Sequence, residues 1–244
     1  MTALLHADAI WKSFGDRSVL RGVALDLSAH EVVAVIGASG SGKSTLLRCL
    51  NLLETIDDGV ILLGGDDISD PRVDGNRVRA RFGAVFQHYN LFPHLSVIDN
   101  VTLAARKVHR MPRRDAEAKA MALLERIGLA DKAREHPDRL SGGQQQRAAI
   151  VRAVVTDPEV LFLDEITSAL DPELVGEVLE LVKSLAEEGA TILMATHEMA
   201  FARDVAHRVL FLDEGRVVEE GPPSEVLVAP REERTRRFLS RFTT

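Results

Sequence analysis

The sequence predicts an α/β fold in which a mostly parallel sheet is covered by helices and interrupted by a helical insertion. Apolar runs with strand character alternate with helical patterns, as expected of such a sheet. Two of these runs, residues 32–36 and 160–163, lack polar alternation, which is typical of strands buried on both faces. From Tyr89 to Asp157 the strand pattern is absent and helical patterns replace it. The class is therefore α/β with an inserted helical segment.

The helical patterns can be placed along the chain. A capping-box pattern opens a helix at Ser96, and a second helix runs from Arg113 to Ile127. Another covers residues 148–155, and an Arg-rich helix follows a hairpin at residues 213–215 and a break at residues 221–223. The predicted strands are residues 19–27, 31–36, 59–63, 82–86, 160–163 and, as the last core strand, residues 190–195.

These elements are expected to form one domain over residues 1–244. The α/β core comprises residues 1–86 and 158–244, and the helical subdomain comprises residues 87–157. A chain of 244 residues with 45% hydrophobic residues can bury a core without a disulfide or a structural metal. The single cysteine, Cys49, forms no internal disulfide and is expected to be a small buried apolar residue.

Composition also excludes several functions. A net charge of −7 argues against a protein whose main task is to neutralise nucleic-acid phosphates, so no nucleic-acid partner is expected. The basic clusters at residues 106–114 and 231–241 are interpreted as solvated helix faces. No apolar run approaches the roughly 18 residues that span a bilayer, and the first residues lack a basic stretch followed by a long apolar one, so neither a membrane span nor a leader peptide is expected.

A glycine-rich loop between a buried strand and a helix predicts a phosphate site. Its glycines let successive backbone N–H groups point inward, and the helix N-terminus adds partial positive charge. Lys43 is expected to reach the β- and γ-phosphates, and the Ser44 hydroxyl to bind Mg²⁺. The loop that fits this pattern consists of Gly37, Ala38, Ser39, Gly40, Ser41, Gly42, Lys43, Ser44 and Thr45.

The buried strand at residues 160–163 is followed by two carboxylates, Asp164 and Glu165. In an open α/β sheet the carboxyl end of a strand faces the ligand crevice. Asp164 is therefore predicted to hold Mg²⁺, and Glu165 to take a proton from the water that attacks the γ-phosphate. A turn or a helix cap is the alternative interpretation of this pair.

A second anion site is predicted at Ser141, Gly142, Gly143 and Gln144, which precede a helical pattern. Free N–H groups and a hydroxyl at a helix start suit a phosphate. The alternative is a Ser N-cap with glycines for a tight turn. The spacing does not show whether the two anion sites share one nucleotide.

Taken together, these motifs resemble the ATP-binding cassette (ABC) transporter ATPases. Besides the phosphate loop, the Ser-Gly-Gly signature and the strand that ends at Asp164 and Glu165, the resemblance includes Gln87, residues 168–171 and His197, in the family's order and over nearly the whole chain. It implies a P-loop NTPase fold with a RecA-like core of mostly parallel sheet, an antiparallel β portion and an inserted helical signature subdomain.

The resemblance also implies a mechanism and roles for single residues. Two copies pair head to tail, and each ATP, with Mg²⁺, lies between the phosphate loop of one copy and the signature of the other. Phe14 stacks on adenine, Gln87 senses Mg²⁺ and the attacking water, Asp171 crosses the dimer interface, and His197 contacts the γ-phosphate. One departure is Ile166, where such ATPases usually carry proline; we expect it to alter the rate without abolishing function.

Within the family, residues 86–95, 168–177 and 197–203 are similar to importers of polar amino acids. This similarity implies a peripheral location on the cytoplasmic face of the membrane. It also implies a permease that docks near Gln87 and an extracytoplasmic protein that selects the substrate. An ABC ATPase of a lipoprotein-release or cell-division complex is the main alternative.

Two further alternatives are a small-molecule kinase and a DNA-repair ATPase. The first has no use for the signature or for His197, and the second would need long heptad segments or zinc cysteines.

Overall fold

The chain folds into two β-sheets with helices packed around the larger one. The computed structural model describes residues 3–242. Over this range the strands are β1 (Leu5–Phe14), β2 (Arg17–Leu27), β3 (Val32–Ile36), β4 (Asp58–Leu63), β5 (Asp66–Asp67), β6 (Phe82–Val85), β7 (Val160–Asp164), β8 (Ile192–Ala195), β9 (Arg208–Asp213) and β10 (Arg216–Gly221). The α-helices are α1 (Lys43–Leu50), α2 (Gly75–Arg79), α3 (Val97–Lys107), α4 (Arg113–Arg126), α5 (Gly142–Val154), α6 (Pro172–Glu187), α7 (Met199–Val205) and α8 (Glu233–Leu239).

The larger sheet has six strands in the order β10-β9-β3-β8-β7-β6. All of its pairs are parallel except the one between β9 and β10. The register pairs Val35 with Ala195 and Ala195 with Asp164. The carboxyl ends of β3, β8 and β7 therefore lie side by side, and the segments that follow them meet at one edge of the sheet.

Strands β3 and β7 are buried at every position, as the missing polar alternation predicts. Alternate residues of β7 enter different clusters: Phe162 packs on the side of α1, whereas Leu161 and Leu163 pack on the side of α6. The Cys49 side chain on α1 is also buried, and this burial raises the pKa of its thiol to about 12. The expectation of a small buried residue at this position is confirmed.

The smaller, antiparallel sheet has the order β2-β1-β4-β5. Strand β1, which was not predicted from the sequence, pairs with both β2 and β4. Its register shifts between Ala7 and Ile10, and Ala9 has a φ of 48°. A bulge of this kind breaks the period of two by which a strand is recognised in a sequence.

The prediction that residues 190–195 form the last core strand is wrong. Strand β9 follows and pairs in parallel with β3, on the side away from β8. The connection between β8 and β9 contains only the short helix α7. The pattern that predicts core strands, a strand followed by a long helix, is therefore absent from this part of the sequence.

Helices α3, α4 and α5 share a separate apolar cluster, which includes Val101, Leu124 and Val151. Ser96 caps α3 as predicted, because its Oγ accepts a hydrogen bond of 3.2 Å from the Asp99 N–H. Helix α5 begins at Gly142, well before the predicted residue 148. No helix within residues 3–242 is long and apolar enough to cross a membrane.

Candidate nucleotide-binding site

The glycine-rich loop connects β3 to α1 and is closely covered by neighbouring backbone. A Cβ atom on Gly37 would lie 2.2 Å from the Leu212 carbonyl oxygen and 2.8 Å from Ser41 Oγ. Gly42, at the N-terminus of α1, has a φ of 111°. These two positions require glycine, the first because of the close approach and the second because of its left-handed backbone.

The loop presents hydrogen-bond donors that are not used within the chain. The N–H groups of Gly42, Lys43 and Ser44 donate to no acceptor in residues 3–242, as expected at a helix start. The buried Ser41 Oγ also has no partner there. An unsatisfied buried hydroxyl is costly, so these groups fit an anion that accepts their hydrogen bonds.

Lys43 supplies the positive charge of the loop and is only 4% exposed. Its Nζ donates to the Gly37 carbonyl at 3.0 Å and to the Ala38 carbonyl at 3.2 Å. Glu165 Oε1 lies 3.2 Å from the same nitrogen. The ammonium group is thus held between the phosphate loop and the end of β7.

Next to Lys43 in the sequence, Ser44 is joined to Asp164 by a hydrogen bond. Ser44 Oγ donates to Asp164 Oδ1 at 2.8 Å, and burial raises the pKa of the Asp164 carboxyl. Both side chains offer oxygen atoms of the kind that Mg²⁺ prefers. Residues 3–242 contain no group of three His, Cys, Asp or Glu side chains that could hold a metal alone. The oxygen atoms of this pair fit a Mg²⁺ ion, which would need its remaining ligands from other molecules.

Glu165 and His197 meet beside Lys43. His197 Nε2 lies 3.1 Å from Glu165 Oε1, and Glu165 has a φ of 47° with its N–H bonded to the Ala195 carbonyl. The hydrogen bond from His197, assisted by Lys43, lowers the pKa of Glu165 to about 2. Glu165 is therefore an ionised acceptor at neutral pH, aimed into the site from the end of β7.

A pocket of about 350 Å³ lies beside the loop. The Phe14 ring on its wall is 48% exposed, and Lys12 Nζ lies 5.0 Å from the ring centroid. Gln87 lines this pocket with Lys43 and Glu165 and also lines the neighbouring one with Ser44 and Asp164. The structure thus brings together the predicted phosphate loop, Phe14, Gln87, Asp164, Glu165 and His197.

The Ser-Gly-Gly signature lies apart from this pocket. Among residues 3–242, none of residues 141–144 lines either pocket or bonds to the phosphate loop. Ser141 caps α5 in a full capping box with Gln144. Within its own chain Ser141 is therefore a helix N-cap, as the alternative interpretation of the signature predicts. The N–H groups of Gly142 and Gly143 donate to no acceptor within that range.

A comparison with protein families decides whether the chain is an ABC ATPase or a small-molecule kinase. The family model described as ABC transporter matches residues 20–168, more than half of the chain. The chain belongs to the ABC transporter ATPase family. The predicted family and the P-loop NTPase fold are confirmed, and the small-molecule kinase alternative is wrong.

Relatives of this ABC ATPase are similar over nearly their full length. It is 49% identical to a glutamine transport ATP-binding protein of Geobacillus stearothermophilus, covering 98% of this chain and 99% of the relative. It is 49% identical to a histidine transport ATP-binding protein of Pseudomonas aeruginosa, covering 97% of each. A solved dimeric ATP-binding cassette, bound to ADP and Pi in a post-hydrolysis state, superposes with a TM-score of 0.81 at 31% identity, covering 90% of this chain and 98% of that one.

Three residues beside the site of this ABC ATPase, Arg17, Tyr89 and Arg152, were not predicted from the sequence. Arg17 lines the pocket with Phe14, is exposed and forms no ion pair within residues 3–242. Its position just after Phe14 and Gly15 is a signal that could have indicated it. Tyr89 and Arg152 contact the segments around the site, but no local pattern distinguishes them from ordinary helix and loop residues.

The contact between His197 and Glu165 predicts a change in the ionisation of this ABC ATPase. In His197→Ala the largest cause that lowers the pKa of Glu165 is removed, so this pKa should rise from about 2 toward its ordinary range. Protonation of Glu165 then begins at a higher pH as acid is added. A pH titration of the ¹³C-labelled carboxyl by NMR measures the shift, and His109→Ala, which removes an exposed histidine elsewhere, should leave the pKa at about 2.

Ile166 generates a second prediction. Its side chain is 7% exposed within the core, and its N–H has no acceptor in the part of the chain that is described. Proline at this position would remove no hydrogen bond. Ile166→Pro should therefore keep ATPase activity within about tenfold, or roughly 1.4 kcal/mol in the barrier. Steady-state hydrolysis, with Ile166→Val as the control, tests this, and complete loss of turnover would contradict the interpretation of the turn.

Proposed function

We propose that the chain is the ATP-hydrolysing subunit of an importer for polar amino acids. The observation that carries the ATPase part is the meeting of Lys43, Ser44, Asp164, Glu165 and His197 at the carboxyl edge of one parallel sheet. The amino-acid part is supported by relatives named for the transport of glutamine, arginine, histidine and glutamate. These names do not favour the lipoprotein-release or cell-division alternative.

The residues suit hydrolysis of ATP in the following way. The phosphate loop, including Ser39, Gly40, Ser41 and Thr45, surrounds the phosphates, and Phe14 offers the adenine a ring face. Ser44 and Asp164, with Gln87 nearby, would hold a Mg²⁺ ion, which would neutralise negative charge on the phosphates.

Glu165 accepts a proton from the attacking water as the bond between the γ-phosphorus and the bridging oxygen breaks. His197 orients Glu165 and contacts the γ-phosphate. When Lys43 turns to phosphate oxygens, one of the contacts that lower the pKa of Glu165 is weakened. The carboxylate then becomes a stronger base in the presence of the nucleotide.

The proposed head-to-tail dimer is supported by the position of the signature, in the proposed helical subdomain of residues 87–157 and apart from the pocket. The free N–H groups of Gly142 and Gly143 lie outside the pocket of their own chain, so they suit a nucleotide bound to a second copy. Asp171, exposed at the N-cap of α6, follows Leu170, whose Cδ2 would lie 3.6 Å from a Cβ atom on Gly142, and is proposed to cross the interface.

The permease is proposed to dock at the groove beside Gln87. This groove is the pocket that Gln87 lines with Ser44 and Asp164; Leu53, Phe86, His88 and Asn90 also line it, and Leu53 is 50% exposed. Exposed apolar side chains next to polar groups are typical of protein contact sites. Closure of the dimer would act on the permease through this segment, at the cytoplasmic face of the membrane, while an extracytoplasmic binding protein selects the amino acid.

The dimer proposal predicts the behaviour of two variants. Glu165→Gln should keep ATP binding but lower turnover by about 10²–10⁴-fold, since the proton acceptor is lost. Mg-ATP should then trap a dimer on gel filtration, and a persistent monomer would count against the clamp. In Lys43→Ala, ATP affinity itself should fall, and undiminished affinity would contradict the role of this lysine.

The permease proposal is tested by co-purification. The chain, tagged and purified from gently solubilised membranes of its own cells, should bring with it an amino-acid-type permease that mass spectrometry identifies. Leu53→Asp should lose this partner because a charge enters the apolar part of the groove. Val228→Asp, at a position that is 66% exposed elsewhere, is the matched control and should retain it. If a lipoprotein-release or division protein co-purifies instead of the permease, the ATPase proposal stands and the importer proposal is wrong.

A further inference from the structure

Tyr89, the only tyrosine of the chain, lies two residues after Gln87 and connects segments that are distant in sequence. Its ring is half-buried against the core cluster that also contacts Leu170. Its hydroxyl donates to the Ala169 carbonyl at 3.3 Å. Ala169 precedes Asp171 by two residues, so Tyr89 contacts the segment that leads to the proposed dimer interface.

The same hydroxyl lies against the signature. A Cβ atom on Gly142 would be 2.7 Å from Tyr89 Oη, closer than real Cβ atoms come to a neighbouring atom. The backbone of Gly142 has no positive φ, so its conformation alone does not require glycine. The Tyr89 hydroxyl is therefore the nearest atom that a side chain at this position, in the first turn of α5, would meet.

Arg152 fixes the backbone of Tyr89 to the same helix. Its guanidinium donates to the Asn90 carbonyl at 2.5 Å and to the Tyr89 carbonyl at 3.2 Å. Burial lowers the pKa of Arg152, yet an arginine stays charged at neutral pH. Charge-assisted bonds to two successive carbonyls hold the loop after Gln87 on α5.

We propose that Tyr89 is a positioning residue that couples the two nucleotide sites of the dimer. Through the chain it is tied to Gln87, which lines the pocket of its own protomer. Through its hydroxyl it contacts Gly142 and Ala169, which belong to the two segments proposed to face the partner's nucleotide. The inference rests on the head-to-tail dimer proposed above.

The physical basis is the stiffness of the connection. An aromatic side chain has two rotatable bonds, and Arg152 restrains the backbone that carries it. A displacement of Gln87 by a bound nucleotide is therefore passed to α5, which carries Gly142, and changes the contact of the Tyr89 hydroxyl with Ala169. Coupling between sites arises when such an element has different contacts in the two states.

The first test uses a variant that removes only the Tyr89 hydroxyl. Tyr89→Phe should lower the Hill coefficient of ATP hydrolysis from a value between 1 and 2, the limits for two coupled sites, to about 1. The half-saturating ATP concentration should change less than about threefold, since no group that touches the nucleotide is removed. Ser240→Ala also removes a hydroxyl bonded to a backbone carbonyl, that of Arg237, and should behave as wild type. An unchanged Hill coefficient in Tyr89→Phe, or a value of 1 in the wild type, overturns the proposal.

Gel filtration separates this inference from the dimer on which it rests. In the Glu165→Gln background with Mg-ATP, Tyr89→Phe should still form the dimer. If the dimer forms and the Hill coefficient is unchanged, the coupling role is wrong and the dimer stands. If Glu165→Gln forms no dimer, the proposed function fails and the coupling role fails with it.

A second, independent test follows the Tyr89 side chain by ¹⁹F NMR. Incorporation of 3-fluorotyrosine gives one ¹⁹F resonance, from position 89, without any substitution. In Glu165→Gln this resonance should shift when Mg-ATP closes the dimer, because the contacts of the hydroxyl change. A resonance that stays in place while the dimer forms on gel filtration overturns the proposal.

Discussion

The rest of the site depends on the burial of one positive charge, the Lys43 ammonium group. A buried ammonium is costly unless it is paired and hydrogen-bonded, and here two carbonyls of the phosphate loop and Glu165 surround it. This requirement links strands that are far apart in sequence, because the partner carboxylate comes from the end of β7. The parallel register of β3, β8 and β7 places the three segments at one edge, where such pairing is possible.

Much of this arrangement could be predicted from the sequence. The phosphate loop, Asp164 and Glu165 are local patterns, and each lies at the end of an apolar strand that periodicity detects. Strand β1 could not be found in this way because the bulge at Ala9 interrupts its alternation. Strand β9 was missed because its crossover is shorter than the usual pattern.

The contacts of Tyr89 and Arg152 were beyond sequence reasoning for a different reason. Each joins residues more than sixty positions apart, and each uses backbone carbonyls, which every residue carries. The signature shows a second limit of prediction from the sequence. Ser141 is a helix cap within its own chain, and nothing in its local pattern tells a cap from a phosphate ligand. Its distance from the phosphate loop in the fold supports the proposal that it serves the nucleotide of a second copy.

The burial of Cys49 bears on how the protein can be handled. A thiol whose pKa is raised to about 12 carries almost no thiolate at neutral pH, and its side chain is out of contact with solvent. Alkylating reagents and mild oxidants should therefore leave the folded chain unmodified. Since Cys49 is the only cysteine, a single cysteine added at the surface could carry a fluorescent or spin label selectively, without first removing the native one.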